Sequence, residues 1–394
     1  MLSFDEAIAL LAENVRPLGT ESVPLEQSAG RFLAEDLRAR SDAPRSDVSV
    51  MDGYAVRLDS LGETDSLEVV GEARPGAPFK GSVGKGEAIR IFTGAAIPSG
   101  ADCVIMQEYA RAEGNVVSFS QGHGPERHIR TAGSDFRAGD VILERGTHLA
   151  PPIIVPASAA DQATVMVAKR PEIAIIATGD ELVSPGRAFA IDSAVPDSIS
   201  YAVASLCKVG GAQVISRVRS PDELAELTKH ACEAVAMADC IVVTGGASVG
   251  ERDFARPMFA DTGMDLIFSK LAIKPGRPVW FGLAGAKPVL GLPGNPTSAM
   301  VTARLFLRPL LARLQGGPVE KELNFVPVRL ASPLQSSGKR ETFVRASSTA
   351  EGLVPVGNQQ SGAQSPLAVA DWLIRIPPGS NAYTAGAFVK ALAL

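Results

Sequence analysis

Asp180 and Glu181 stand in Thr178-Gly-Asp-Glu-Leu182, directly after the apolar run Ile173-Ala-Ile-Ile-Ala177. Two carboxylates just past a buried strand suit a hard cation such as Mg²⁺, which takes a few carboxylate oxygens together with phosphate oxygens and water. Taken alone, the segment reads more simply as a solvated turn with an acidic helix start. Two further glycine-rich segments follow apolar runs, however: Thr244-Gly-Gly-Ala-Ser-Val-Gly250 and Gly291-Leu-Pro-Gly-Asn-Pro-Thr-Ser298. Such turns bring backbone N–H groups close to an oxyanion, and a helix N-terminus beyond the turn adds partial positive charge. Three of them at consecutive strand ends, with Asp253, Lys270 and Lys274 in between, have the look of a phosphate-handling site.

Each segment has its own chemistry. Gly245, Gly246 and Gly250 offer flexible backbone donors and Ser248 a hydroxyl, suited to a nucleotide phosphate. Neither the Walker spacing nor the dinucleotide fingerprint is present. Pro293 and Pro296 stiffen the loop around Asn295. Thr297 or Ser298 would serve as a simple helix cap, but the stiffness argues for a loop held in one shape to receive a ligand. Lys270 and Lys274 lie four apart in Ser269-Lys-Leu-Ala-Ile-Lys-Pro-Gly-Arg-Pro278, so on an extended strand they share a face and can meet one oxyanion. Asp222, in Ser220-Pro-Asp-Glu223, reads as a helix-start carboxylate within a capping box. Asp52 (Met51-Asp-Gly-Tyr54), Thr93 (Thr93-Gly-Ala-Ala-Ile-Pro98) and Asp135 (Gly133-Ser-Asp135) have ordinary turn readings on local chemistry.

The elements that must position these residues follow from periodicity. Ser3-x-x-Glu6 opens a helical pattern through Phe4, Ala7, Ile8 and Leu11. From about 65 to 145, short β-like runs alternate with Gly-rich turns. Residues 150–168 read as a connector and helix. Beyond Pro171, strands at 173–177, 213–217, 240–243, 265–269 and 288–291 alternate with helices at 198–208, 221–238 and 297–314. That alternation calls for a parallel sheet covered on both faces, with ligands at the carboxyl ends of its strands. After Asn324 short strands return.

Composition narrows the function classes. The chain has 394 residues, net charge −5, and no Lys/Arg-rich run, which argues against a nucleic-acid partner. No apolar stretch approaches a membrane span and no signal peptide opens the chain, so a cytoplasmic protein is expected. Cys103, Cys207, Cys232 and Cys240 are far apart, and buried reduced thiols are expected rather than disulfides or zinc ligands. The four histidines show no metal-ligand spacing, which leaves oxygen donors for any metal.

In order, Met51-Asp-Gly-Tyr-Ala-Val-Arg57, Phe92-Thr-Gly-Ala-Ala-Ile-Pro98, Gly100-Ala-Asp-Cys-Val-Ile-Met-Gln-Glu108, Thr178-Gly-Asp-Glu-Leu182, Gly245-Gly-Ala-Ser-Val-Gly250, Lys274-Pro-Gly-Arg-Pro278 and Gly291-Leu-Pro-Gly-Asn-Pro296 resemble the molybdopterin molybdenumtransferase family, related to the E domain of gephyrin. The resemblance covers essentially the whole chain. It implies a multidomain α/β plus β protein: a discontinuous mixed linker domain (1–48 and 137–169), a mostly-β domain (49–136), a central parallel-sheet α/β molybdopterin-binding domain (170–317) and a small C-terminal β domain (318–394). It also implies a homodimer with a shared cleft and Mg²⁺-dependent insertion of molybdate into adenylated molybdopterin, with release of AMP. Other cofactor-synthesis proteins and recipient molybdoenzymes are possible partners under that reading. Glu181 and Asp253 match the family's metal and catalytic carboxylates, with Asp180 beside them. Asp52, Thr93 and Asp135 match the partner-side wall, and Asp222 an acidic position that the family uses. Lys270, Lys274, Arg277 and Ser298 match the molybdate and phosphate pocket, and Arg345 and Ser361 contributors from the C-terminal domain. Two departures stand out: Val48-Ser-Val50 where the family has Asn-Ser-Ala, and Asp197-Ser-Ile199 where it has Asp-Ser-Asn. Alternatives are a molybdopterin adenylyltransferase, which would lack the flanking domains, and a scaffold that has lost catalysis.

Overall fold

The computed structural model describes residues 1–61, 66–246, 254 and 256–394. Its central sheet has six strands, in the order Gln213–Ser220, Glu172–Thr178, Cys240–Thr244, Lys287–Leu292, Trp280–Ala284, Met264–Ser269. The first four are mutually parallel. Trp280–Ala284 runs against both of its neighbours. It is joined to Lys287–Leu292 by Gly285-Ala286 alone, and two residues close a hairpin but cannot make a crossover.

Period-2 alternation decides how the sheet is covered. Along Glu172–Thr178, Ile173 and Ile175 pack with Val203 and Cys207 of the helix Ile199–Val209. Ala174 and Ile176 pack on the other face with Leu227, Ala231 and Ala234 of the helix Leu224–Met237. Cys240–Thr244 is buried at every position, as expected of a strand covered on both faces. After the last parallel strand a single helical rod begins at Pro296, passes through a π-helical turn at Ala303–Leu307 and ends at Leu314.

Two further six-stranded sheets accompany this unit. In one, Cys103–Met106, Gly53–Val56, Glu87–Ile91, Ser66–Ala73, Val116–Phe119 and Ala110–Glu113 lie side by side. The segments before and after it pair with each other, Thr20–Pro24 against Thr164–Ala168 and Leu37–Arg38 against Val141–Leu143. The stretch 150–168 is therefore a helix (Pro151–Ala159) followed by a strand. The C-terminal sheet, built on Glu341–Thr349, Trp372–Ile376 and Phe388–Ala393, also takes in the short strand Ile273–Lys274, with Ile273 opposite Glu341 and Lys274 opposite Thr342. The N-terminal helix Phe4–Asn14 starts at the expected capping box. It drives Phe4 between Phe306 and Phe343, with ring centroids 5.6 and 5.2 Å away, and so ties the α/β core to the C-terminal sheet.

Three expectations change. The strand containing Ser269 ends there and Lys270 is left-handed (φ 61°), so Lys270 and Lys274 do not share one extended strand. The even-spacing argument for them falls. Ser220 closes a strand and the next helix begins at Leu224 without a side-chain cap, so Asp222 is a loop residue rather than part of a capping box. Cys232 is exposed, whereas Cys103, Cys207 and Cys240 are buried; it falls on the solvent side of a helix whose buried stripe is Leu227, Ala231 and Ala234.

Candidate active site at the strand ends and the neighbouring cavity

Parallel pairing brings the three glycine-rich turns together, since Ala177 lies opposite Thr244 and Thr244 opposite Leu292. Gly245 N–H donates to the Leu292 carbonyl at 3.3 Å. Gly245 has φ +90°, and a Cβ there would stand 2.6 Å from the Thr178 carbonyl oxygen and 2.8 Å from its hydroxyl. Only glycine lets the middle turn lie this close to Thr178. Asp180 Oδ1 accepts the Asp222 N–H at 2.9 Å, which draws the end of the edge strand Gln213–Ser220 into the same cluster. Glu181 folds back over Gly179 and stays exposed, as does Asp180. Thr178 is 6% exposed, and its hydroxyl is buried without a partner among the described residues. An orphaned buried hydroxyl beside two carboxylates is a donor set of oxygens alone, which fits Mg²⁺. Among the described residues no three His, Cys, Asp or Glu side chains form a ready cage. Ser248, Gly250 and Asp253 lie outside the described residues.

Beside the strand ends opens a cavity of about 1360 Å³ between the α/β unit and the C-terminal sheet. Lys274, Arg277 and Ser298 line it from the α/β side and Ser361 from the C-terminal side. Among the described residues no carboxylate lines it, and neither Lys274 nor Arg277 has an ion pair. Pro296 is the first residue of the helix, Asn295 its cap residue by position, and no side chain caps it. Thr297 and Ser298 are thus not caps. Thr297 is a joint: its N–H donates to the Ser361 carbonyl (3.1 Å) and its hydroxyl to the Ala363 carbonyl (2.5 Å). Pro293, just before this turn, is buried.

Arg345, 1% exposed, is a brace behind this wall rather than a lining residue. It donates to the Thr297 hydroxyl (3.2 Å) and to the carbonyls of Asn358 (3.0 Å) and Gln360 (3.4 Å). Burial lowers its pKa from the usual arginine value. Lys270 does not line the cavity; its N–H donates to the Val279 carbonyl at 3.2 Å.

Asp52 and Thr93 form a second polar cluster on the mostly-β unit. Asp52 Oδ1 accepts both the N–H (2.7 Å) and the hydroxyl (2.8 Å) of Thr93. The backbone bond and then the hydroxyl bond lower the Asp52 pKa, with a smaller contribution from Arg90. Asp135 pairs with Arg130 at 3.3 Å. Among the described residues no hydrogen bond or ion pair joins Asp52, Thr93 or Asp135 to the strand ends within one chain. Residue-type reasoning passed over Asn295, Lys339, Arg340 and Gln360, all of which line the cavity. The signal for two of them was Ser336-Ser-Gly-Lys-Arg340, a small-residue loop ending in two cations.

Three family models match the chain: MoeA N-terminal region (domain I and II) over residues 2–182, probable molybdopterin binding domain over 174–313, and MoeA C-terminal region (domain IV) over 327–394. A molybdopterin molybdenumtransferase of Haemophilus influenzae is 38% identical over 318 residues, 80% of this chain and 78% of that protein. One from Nostoc sp. is 35% identical over 394 residues, 95% of this chain and 89% of that protein. Among solved structures, the molybdopterin biosynthesis moeA protein from Pyrococcus horikoshii OT3 superposes with a TM-score of 0.85 at 28% identity, covering 100% of both chains. The chain, with its aligned strand-end turns, belongs to the molybdopterin molybdenumtransferase family.

Proposed function

We propose that this enzyme inserts molybdate into adenylated molybdopterin in a Mg²⁺-dependent reaction that releases AMP. The observation that carries the reading is the cavity lined by Lys274, Arg277 and Ser298 with no acidic residue among the described ones, next to strand ends that present Asp180 and Glu181. Molybdate and an adenylated phosphoester are both anions and repel each other, an effect on the order of 4 kcal/mol for two unit charges 4 Å apart near a protein surface. Fixed cations offset that repulsion and do not have to reorganise when charge moves. Lys274 and Arg277 hold the oxyanion, and Ser298, whose helix starts beneath it, donates a hydroxyl. Gly245 and Gly246 leave the backbone accessible to the phosphate side of the substrate. Glu181 and Asp180, with Asp253 completing the set, would hold Mg²⁺. Bound there, the ion supplies charge neutralisation at the phosphate oxygens. Domain limits at 48/49, 136/137, 169/170 and 317/318 suit this division of labour.

Asp52, Thr93 and Asp135 belong, in this reading, to the site of a second copy, so that a homodimer builds two cytoplasmic cleft sites. Mixing experiments test this. Asp52→Asn and Lys274→Gln are each inactive alone, and co-expressed they form mixed dimers holding one intact cleft, which recovers part of the molybdate-dependent AMP release. If each variant stays inactive in the mixture although mixed dimers form, the shared cleft is refuted.

A further inference from the structure

Behind Asp52 and Thr93 stands a cation committed to the protein itself. Arg90, on the strand Glu87–Ile91, lies opposite Tyr54 of Gly53–Val56. Its guanidinium rests over two rings, with the Tyr54 centroid at 5.1 Å and the Phe92 centroid at 4.8 Å. Nη1 donates to the Gly53 carbonyl at 3.0 Å and Nη2 to Gln107 Oε1 at 2.7 Å. Three of these partners adjoin the polar pair. Gly53 follows Asp52, Phe92 precedes Thr93, and the Gln107 N–H donates to the Asp52 carbonyl at 2.9 Å. The turn they hold has no slack, since a Cβ on Gly53 would stand 1.9 Å from the Ile105 carbonyl oxygen on the neighbouring strand Cys103–Met106. A planar guanidinium can stack on rings and donate in its own plane at once, which an ammonium cannot. Among the described residues both hydrogen bonds to the Asp52 carboxylate come from Thr93 and fall on Oδ1, so none engages Oδ2. The direction in which Oδ2 is offered therefore depends on how the Asp52 turn and the Phe92-Thr93 segment sit relative to each other, and Arg90 spans the two.

We propose that Arg90 is a positioning residue for the reaction: through Gly53, Phe92 and Gln107 it fixes the Asp52 carboxylate and the Thr93 hydroxyl in the orientation that the cleft uses, without touching substrate itself. This role rests on the functional reading above, in which Asp52 and Thr93 wall the cleft of a second copy. A group that acts only by holding another lowers turnover and leaves substrate affinity alone, and misplacing a wall residue by about 1 Å can cost up to about a hundredfold.

Steady-state AMP release by the full-length protein, with kcat and the KM for molybdate determined separately, decides the matter. Arg90→Gln lowers kcat roughly tenfold or more while KM stays within about twofold of wild type. Thr93→Ala lowers kcat to a similar degree. Because both act through Asp52, the double variant loses no more than about thirtyfold, short of the roughly hundredfold product expected of independent residues. Arg74→Gln is the control. Arg74 lies over the same Phe92 ring at 5.2 Å but is exposed and paired with Glu72, so its loss leaves kcat unchanged. Should Arg90→Gln fail to fold, Gln107→Ala cuts one anchor at an exposed side chain and lowers kcat about threefold, the scale of one lost hydrogen bond, again at constant KM. Wild-type kcat in the folded Arg90 variant, or in Gln107→Ala where that stands in for it, overturns the positioning role. So does a loss confined to KM, or losses that multiply with Thr93→Ala. The functional reading fails separately, if Asp52→Asn turns over as wild type does, and the role of Arg90 then falls with it.

Discussion

Arg345 offers a prediction whose sign runs against residue similarity. Its guanidinium spans three acceptors on both sides of the joint, the Thr297 hydroxyl and the carbonyls of Asn358 and Gln360. Hydrogen bonds to a charged group contribute about 1.5–3 kcal/mol each. Three of them would give ~4–9 kcal/mol, and the cost of burying the charge, several kcal/mol, offsets a large part. Arg345→Met removes the bonds and that cost together. Thr297 keeps its bond to the Ala363 carbonyl, and Asn358 and Gln360 are exposed enough for water to replace part of what they lose. The net destabilisation expected is ~2–4 kcal/mol. Arg345→Lys retains a buried charge on a compact ammonium that cannot bridge both sides, so it should cost at least as much as Met. Urea unfolding followed by tryptophan fluorescence measures both. Trp372 sits opposite Ala346, next to the substitution, while the only other tryptophan, Trp280, lies in the α/β sheet. Lysine tolerated better than methionine, or both variants within ~0.5 kcal/mol of wild type, would refute the brace.

Gly245→Ala forces a side chain into the left-handed region, at about 1–2 kcal/mol, and onto Thr178, at about 1–3 kcal/mol, so a loss of ~2–5 kcal/mol in the same unfolding assay and a collapse of turnover are expected. The Asp52 carboxyl is held below its ordinary pKa of 3.8, so its contribution to stability is present above that value and is lost as pH falls through the lower folded value. The melting-temperature difference between wild type and Asp52→Asn should accordingly stay constant through neutral and mildly acidic pH and close below about pH 4. Burial pushes the Cys207 thiol up to about 12 and raises Cys103 and Cys240 as well, whereas Cys232 is exposed. A thiol-disulfide reagent at pH 8 should titrate one thiol per folded chain, and Cys232→Ser should abolish that signal.

Much of the fold was legible because it depends on local pattern. The apolar run Cys240–Val243, set between helical patterns, fitted a strand covered on both faces, and Ser3 with Glu6 marked the start of the first helix. The convergence of the three glycine turns followed from parallel order alone. What escaped was decided by tertiary contacts. Lys270 and Lys274 kept their even spacing in sequence, but a left-handed turn at Lys270 and the capture of Ile273–Lys274 by the C-terminal sheet set them on different elements. Ser220 and Glu223 offered cap chemistry at a place where the strand pairing Thr178 with Ser220 won. Cys232 sits in an apolar sequence context, yet helical phase turns it outward. The cavity's second wall was invisible because Lys339 and Arg340 meet Lys274 only through that captured strand.

The most direct measurement of the central claim is AMP release by the purified enzyme given adenylated molybdopterin, Mg²⁺ and molybdate. AMP should appear only when molybdate and Mg²⁺ are both present, and Lys274→Gln should abolish it while the protein remains folded. AMP release that ignores molybdate, or no AMP here together with pyrophosphate release from molybdopterin and ATP, would contradict the account.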